Sequence, residues 1–342
     1  MARVTPALLF LVLLSVTVTT IRVQGQPRLA VPLDPITAIL DAFHSHSLVG
    51  LGDPHGNEQA HAFRVALIRD PKFADVVDDI VVEFGNSRYQ DVIDRFVNGD
   101  NVPDATLRQV WQNTTVANFV WDRPIYEEFF RAVRDVNVSR PKSRHLRVLL
   151  GDPPIDWTAV HTPEDLLNWL RKRDTNSAEI IRGQVLARHR HALLIYGEGH
   201  FWRNGAGQNL VLQLETGDAI KIFTISTPIT TELGRLQADV SEWPKPSLAL
   251  TRGTTLGATE FVRFFPLPSS PSPAPRMEDQ VDAVLYFGAP SSMTNSRLSA
   301  ALCADSTYVE MRVKRMALDP GPPGAPPPLD RLKQNCGSAA PK

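Results

Sequence analysis

Apolar residues in this chain gather into short, unbroken runs. Residues 48–52 read "LVGLG", 79–84 "DIVVEF", 146–151 "LRVLLG" and 192–197 "ALLIYG". Unbroken rather than alternating apolarity marks strands covered on both faces, as in a parallel sheet. Helical periodicity fills the intervals. "NEQAHAFRVALIRD" sets Ala60, Phe63, Ala66 and Leu67 on one face, behind an Asn57 suited to cap the helix. "RPIYEEFFRAVRDV" starts near Pro124 and repeats Ile125, Phe129, Val133 and Val136. "PEDLLNWLRKR" and "NSAEIIRGQVLARH" follow the third run. "NLVLQL" (209–214), "AIKIFTI" (219–225) and "DAVLYFG" (282–288) read as later strands. Strands alternating with helices predict an α/β fold, a mostly parallel sheet flanked by helices.

Three stretches fall outside this pattern. "FPLPSSPSPAPRM" (265–277) predicts a long exposed loop. It is a candidate lid if "DAVLYFG" runs antiparallel to the first four strands, and a plain surface connection if it runs parallel. "LDPGPPGAPPPLD" (318–330) predicts an extended, polyproline-like tail. At the start, Arg3 precedes the uncharged "ALLFLVLLSVTV", with small residues leading to Gly25. That run is too short to span a membrane and reads as a secretory signal peptide over 1–25. The reading is then one α/β domain over 26–316 and a proline-rich tail over 317–342. A break near 205–210 is compatible with the pattern but not required by it.

Composition narrows the classes. The chain has 342 residues, with 36 Lys and Arg against 37 Asp and Glu. Nothing in that balance suits nucleic acid, and a small-molecule substrate is the expected partner. The leader implies an extracytoplasmic protein, secreted or periplasmic, without a membrane span once the leader is removed. In that setting the two cysteines, Cys303 and Cys336, are expected to form one disulfide tying the tail to the domain. Asn113 and Asn137 fit the N-glycosylation pattern.

Ligands of parallel sheets bind beyond the carboxyl ends of the strands. There the first run delivers Asp53 and His55, the second Glu83, the third Asp152 and the fourth Glu198 and His200. Strand ends are often polar and acids often cap helices, so any one of these residues means little; their convergence carries the argument. His44, His46, His189 and His191 precede strands and belong at the opposite rim, and His61 and His145 have no evident partner. The chain lacks G-x-S-x-G, G-x-G-x-x-G and H-E-x-x-H, and neither cysteine is near the rim. Histidine plus carboxylate remains. That set suits general-base activation of water, or a divalent metal held by His55, Glu83, Asp152 and His200.

"GDPHGNEQAHAFRVALIRDPKFADVVDDIVVEFGN" resembles the start of erythromycin esterase-like proteins, grouped in one superfamily with the haem-binding ChaN proteins and the Tiki proteases. The resemblance rests on His55, Gly56, an Arg64 nine residues after the histidine, and a Glu83 ending the next strand. It extends through "SRYQDVIDRFVNGD" and, more loosely, to "LLIYGEGHFW". Two departures stand out. The first motif has one residue fewer between glycine and histidine, and Gly197 replaces the first of two expected histidines, leaving His200. The resemblance implies a hydrolase of ester bonds, with no cofactor required. His55 would be the base, and Glu83 would orient it or pair with Arg64. Arg64 would otherwise face the reacting carbonyl oxygen, and His200 would serve the leaving group. Asp53, Asp152 and Glu198 would orient neighbours or bind substrate. The superfamily's other activities leave two alternatives, a metal-dependent hydrolase or protease and a non-enzymatic haem- or ligand-binding protein.

Overall fold

The computed structural model describes residues 26–203, 209–217, 220–229, 240–265, 273–319, 321 and 324–336. Residues 1–25, expected as a signal peptide, and most of the stretch near 205–210 lie outside the described residues. One sheet of seven strands organises the rest: β1 (Leu48–Gly52), β2 (Asp79–Asn86), β3 (Arg147–Asp152), β4 (Ala192–Tyr196), β5 (Ile222–Ser226), β6 (Ser247–Leu250) and β7 (Ala283–Tyr286). Their order is β3-β2-β4-β1-β5-β7-β6. All pair in parallel except β6, which runs antiparallel to β7. The protein is thus α/β, with a mostly parallel sheet between helices.

Every residue of β1, β2 and β4 is buried, which is why these segments read as unbroken apolar runs. Helices Glu58–Arg69, Gln90–Val97, Asp104–Gln112 and Pro124–Val138 contribute to the larger core, and Arg173–Gln184 and Leu210–Gly217 to a second. The chain leaves β1 toward β2 on one side and leaves β4 toward β5 on the other. Since β1 and β4 are neighbours, their carboxyl ends form the switch point where parallel sheets open a crevice. Register places Gly52 beside Tyr196 and Val82 beside Ile195, so the exits of three strands lie together.

Several sequence expectations change. "NLVLQL" is part of a helix, Leu210–Gly217, with Leu210, Val211 and Leu214 buried in the second core. Ala66 is exposed, whereas Arg64 turns inward on the same helix. Residues 266–272 of the proline-rich loop lie outside the described residues. The strand that follows, β7, runs parallel to β5, so it begins at the rim opposite His55 and the lid reading is set aside. The chain beyond 317 is not simply an extended tail. Pro328–Cys336 is helical, and Leu332 and Cys336 pack beside Tyr308 and Met316, with Cys336 bonded to Cys303. Asn137 is fully buried, its side chain spent on Val97 O, Leu146 O and Leu146 N, so the folded chain does not present it for glycosylation.

Candidate functional site

Asp53 follows β1 and its N–H bonds Tyr196 O at 2.7 Å, locking the strand exit to β4. The turn then passes Pro54 and His55 to Gly56, whose φ of +85° lies in the region that favours glycine. A Cβ on Gly56 would also collide with the Arg123 guanidinium. Asn57 caps the next helix by accepting from Ala60 N at 2.8 Å. Arg64, one turn on, is 2% exposed and pairs with Asp53 Oδ1. Burial would raise the Asp53 carboxyl, but Arg64 and His55 outweigh it and hold it down at about 2. Asp53 is therefore an anion at neutral pH and can only accept, so His55 Nδ1, at 3.2 Å from Oδ2, carries the proton.

That tautomer leaves His55 Nε2 with its lone pair, 3.9 Å from Glu83 Oε2. The His55 side chain keeps 36% of its surface exposed. Burial would lower its pKa, but the bond to Asp53 and the charges of Glu83 and Asp53 prevail and raise it. Trp121 meets the ring edge-on at 4.6 Å.

Glu83 is almost fully buried and its acceptors are taken. Gly197 N–H donates at 2.6 Å, His200 Nε2 lies at 3.2 Å, and Arg173 pairs with Oε1. Burial opposes ionisation there, yet His200 and Arg173 keep the carboxyl well below the usual range. His200 also meets Asp174 through Nδ1. With a carboxylate at each nitrogen it is an imidazolium; burial works against the charge, but Glu83 and Asp174 lift its pKa to about 9.

The structure thus brings Asp53, His55, Glu83 and His200 together and turns Asp152 and Glu198 to other partners. Asp152 accepts from Thr115 N (2.7 Å) and Thr115 Oγ1 (2.5 Å), with Arg173 Nε 3.8 Å away, and burial pushes it up to about 7. Glu198 turns toward β5, accepting from Ser226 Oγ and Thr227 N, both at 2.6 Å, and burial raises it to about 7. Arg64 belongs to Asp53; the cation on Glu83 is Arg173, which the sequence reading did not single out. Nor did it single out Asp174, Trp121, Arg123 or Tyr126. The available signal was the charged start of a helix after β3, "RKRD". His61 is buried against Glu128 at 3.2 Å, and burial, with Arg64, drops it to about 4.

The donor set does not fit a metal. Among the described residues no group of three or more His, Cys, Asp or Glu side chains is placed to hold an ion. Of the proposed ligands, Glu83 and Asp152 both face Arg173, and both nitrogens of His200 face carboxylates. Arg173 and His200 already supply the positive charge a cation would bring. Of the two rim histidines, His200 has both ring nitrogens on carboxylates and His55 turns Nε2 toward Glu83, so neither presents a free imidazole nitrogen to a haem iron.

No family model and no curated protein matches the sequence. Solved structures do match the fold. A Bacillus cereus protein is 11% identical with a TM-score of 0.51, covering 79% of this chain and 96% of that one. A succinoglycan biosynthesis protein is 12% identical with a TM-score of 0.50, over 79% and 96%. The haem-binding ChaN of Campylobacter jejuni is 14% identical with a TM-score of 0.40, over 57% and 86%. At such identities the likeness is one of fold, which the first two share with this chain, and the chemistry has to be read from the rim itself.

Proposed function

We propose that the protein is an exported hydrolase in which His55 activates water to attack an ester-type carbonyl. The observation that carries this reading is the Asp53–His55 pair, with one ring nitrogen fixed on a buried anion and the ring partly exposed at the rim, so that in the neutral form the other nitrogen is free to take a proton. In the proposed reaction Nε2 takes a proton from water as the oxygen bonds to the carbonyl carbon. Asp53 and Glu83 stabilise the imidazolium that forms. When the tetrahedral adduct collapses, the carbon–oxygen bond to the leaving group breaks and His55 returns the proton to that oxygen. His200 has no free nitrogen, so the leaving-group role passes from it to His55. Together with Arg173 it keeps Glu83 charged. Arg173, a quarter exposed, is the cation placed to oppose charge on the carbonyl oxygen.

Export is supported by the leader-like start and by a disulfide, which persists in oxidising compartments. The test is hydrolysis of a panel of carboxylic esters and lactones by the purified protein. His55→Gln is expected to lose roughly 10²–10⁴-fold, the usual worth of a general base, and a chelator should leave the wild-type rate unchanged. Equal rates with and without the imidazole would refute the proposal. Loss on chelation with recovery on adding zinc or manganese would shift the reading to metal-dependent hydrolysis.

A further inference from the structure

The turn that carries His55 is gripped by one short segment, "WDRPIY", residues 121–126. Tyr126 is fully buried; its hydroxyl accepts from Gly56 N–H at 3.0 Å and donates to Asp53 Oδ2 at 3.2 Å. Arg123 Nη1 donates to His55 O at 3.1 Å and fills the space that Gly56 leaves free. Trp121 lies edge-on to the His55 ring. The residue between them, Asp122, faces the other way. It takes two bonds of 2.7 Å from Arg312 and one from Tyr308, on helix Ser306–Leu318. Arg312 is 1% exposed and also holds Gln112 O at 3.0 Å, just before the same loop. That helix belongs to the small C-terminal core closed by Cys303–Cys336.

We propose that Trp121–Tyr126 is the positioning element of His55, with Tyr126 limiting how strongly Asp53 holds the imidazolium and the Asp122–Arg312 pair anchoring the segment. The proposal rests on reading His55 as the reacting group. Oδ2 of Asp53 is shared between the tyrosine hydroxyl and His55 Nδ1. Without the hydroxyl, Oδ2 serves the imidazole alone and becomes a stronger partner for its charged form. The other charged groups facing His55 are Glu83 from β2, Arg173 from the helix after β3, and Arg123, and Tyr126→Phe alters none of them.

The first measurement is an NMR titration of the His55 ring in wild type and Tyr126→Phe, which needs no substrate. The midpoint should rise by roughly half a unit, the size of one modest hydrogen bond. Hydrolysis should fall at pH 7 and recover toward pH 9. An unchanged midpoint overturns the role of Tyr126. A shifted midpoint in a wild type that hydrolyses no ester would instead count against the hydrolase reading alone. The second measurement is amide exchange at Gly56 and across 121–126 in Arg312→Lys. Faster exchange in a folded protein is expected, and unchanged protection refutes the anchor. Should that variant not fold, Asp122→Asn, which keeps the shape of the side chain and removes the charge that Arg312 holds, is read in the same way.

Discussion

His55 owes its place partly to a side chain that is absent. A Cβ on Gly197 would lie 2.9 Å from the imidazole and 3.3 Å from Glu83 Oε2. The histidine expected there by resemblance would occupy the volume that His55 fills. Gly197→Ala should therefore displace the ring from Glu83 and cut hydrolysis by about tenfold or more, as small misplacements of reacting groups do. The charges around His55 give a prediction with a sign. The base works only when neutral, so the rate should rise with pH through a midpoint above the ordinary 6.5. Glu83 raises that midpoint and Arg173 lowers it. In pH–rate profiles Glu83→Gln should move the ascending limb to lower pH and Arg173→Met to higher pH; shifts in the same direction would show that these charges do not act on the base. The acids and histidines of the rim were legible because a strand end fixes where its next residues lie. Their partners were not. Arg64 lies midway along its helix and Arg173 opens its own, and only the packing decides that the first is swallowed by Asp53 and the second reaches Glu83.

Elements show the same division. Runs covered on both faces were read from apolarity alone, and β1 spans residues 48–52 as expected. "NLVLQL" failed because a short, mostly apolar run suits a buried strand or a buried helix equally. The one-sided burial of Leu210, Val211 and Leu214 appears only once the helix packs in the second core. β6, four residues behind Pro244 and Pro246, is too short to leave a pattern. Where β4 exits, Glu198 crosses over Gly52 and joins β5 through Ser226 and Thr227. Its pKa is raised in the fold, to about 7 from 4.5, so the protonated form is the one the fold favours. The stability it confers is complete below pH 4.5 and is lost as pH rises through 7. Glu198→Gln keeps a donor and an acceptor without a charge. Relative to this variant, wild type should lose on the order of 3 kcal/mol between pH 4.5 and 8.5, read from denaturant midpoints. A difference that does not vary with pH would show that Glu198 is ionised throughout.

On the scale of the whole molecule, the sheet's switch point sets where chemistry can occur, and the C-terminal helices bear on it from outside. Helix Ser306–Leu318 lines two clefts, of about 620 and 490 Å³, and buries Tyr308 and Met316 in the C-terminal core. Polar contacts add to that hold: Arg312 and Tyr308 on Asp122, and Arg315 on Gln112 O and Asn113, while the link between Cys303 and Cys336 ties together the helices on either side of it. Neither of the first two was legible beforehand, because residues 122 and 312 are far apart in the chain and neither is unusual where it stands. The disulfide was legible from the count of two cysteines and the leader-like start. It closes a loop with a sequence separation of 33. In the chain-entropy account such a loop adds about 3–4 kcal/mol, by limiting the unfolded chain. Cys303→Ser/Cys336→Ser should lower stability by about that amount in denaturant unfolding. Because Pro328–Cys336 is otherwise held by few residues, of which Leu332 is the most buried, this helix should separate before the sheet unfolds. Trypsin should then cut at Arg331 and Lys333 in the variant while β1–β5 stay intact, and leave both sites uncut in the oxidised wild type. Cleavage of both proteins at equal rates would mean that the bond contributes nothing to anchoring the C-terminal helix.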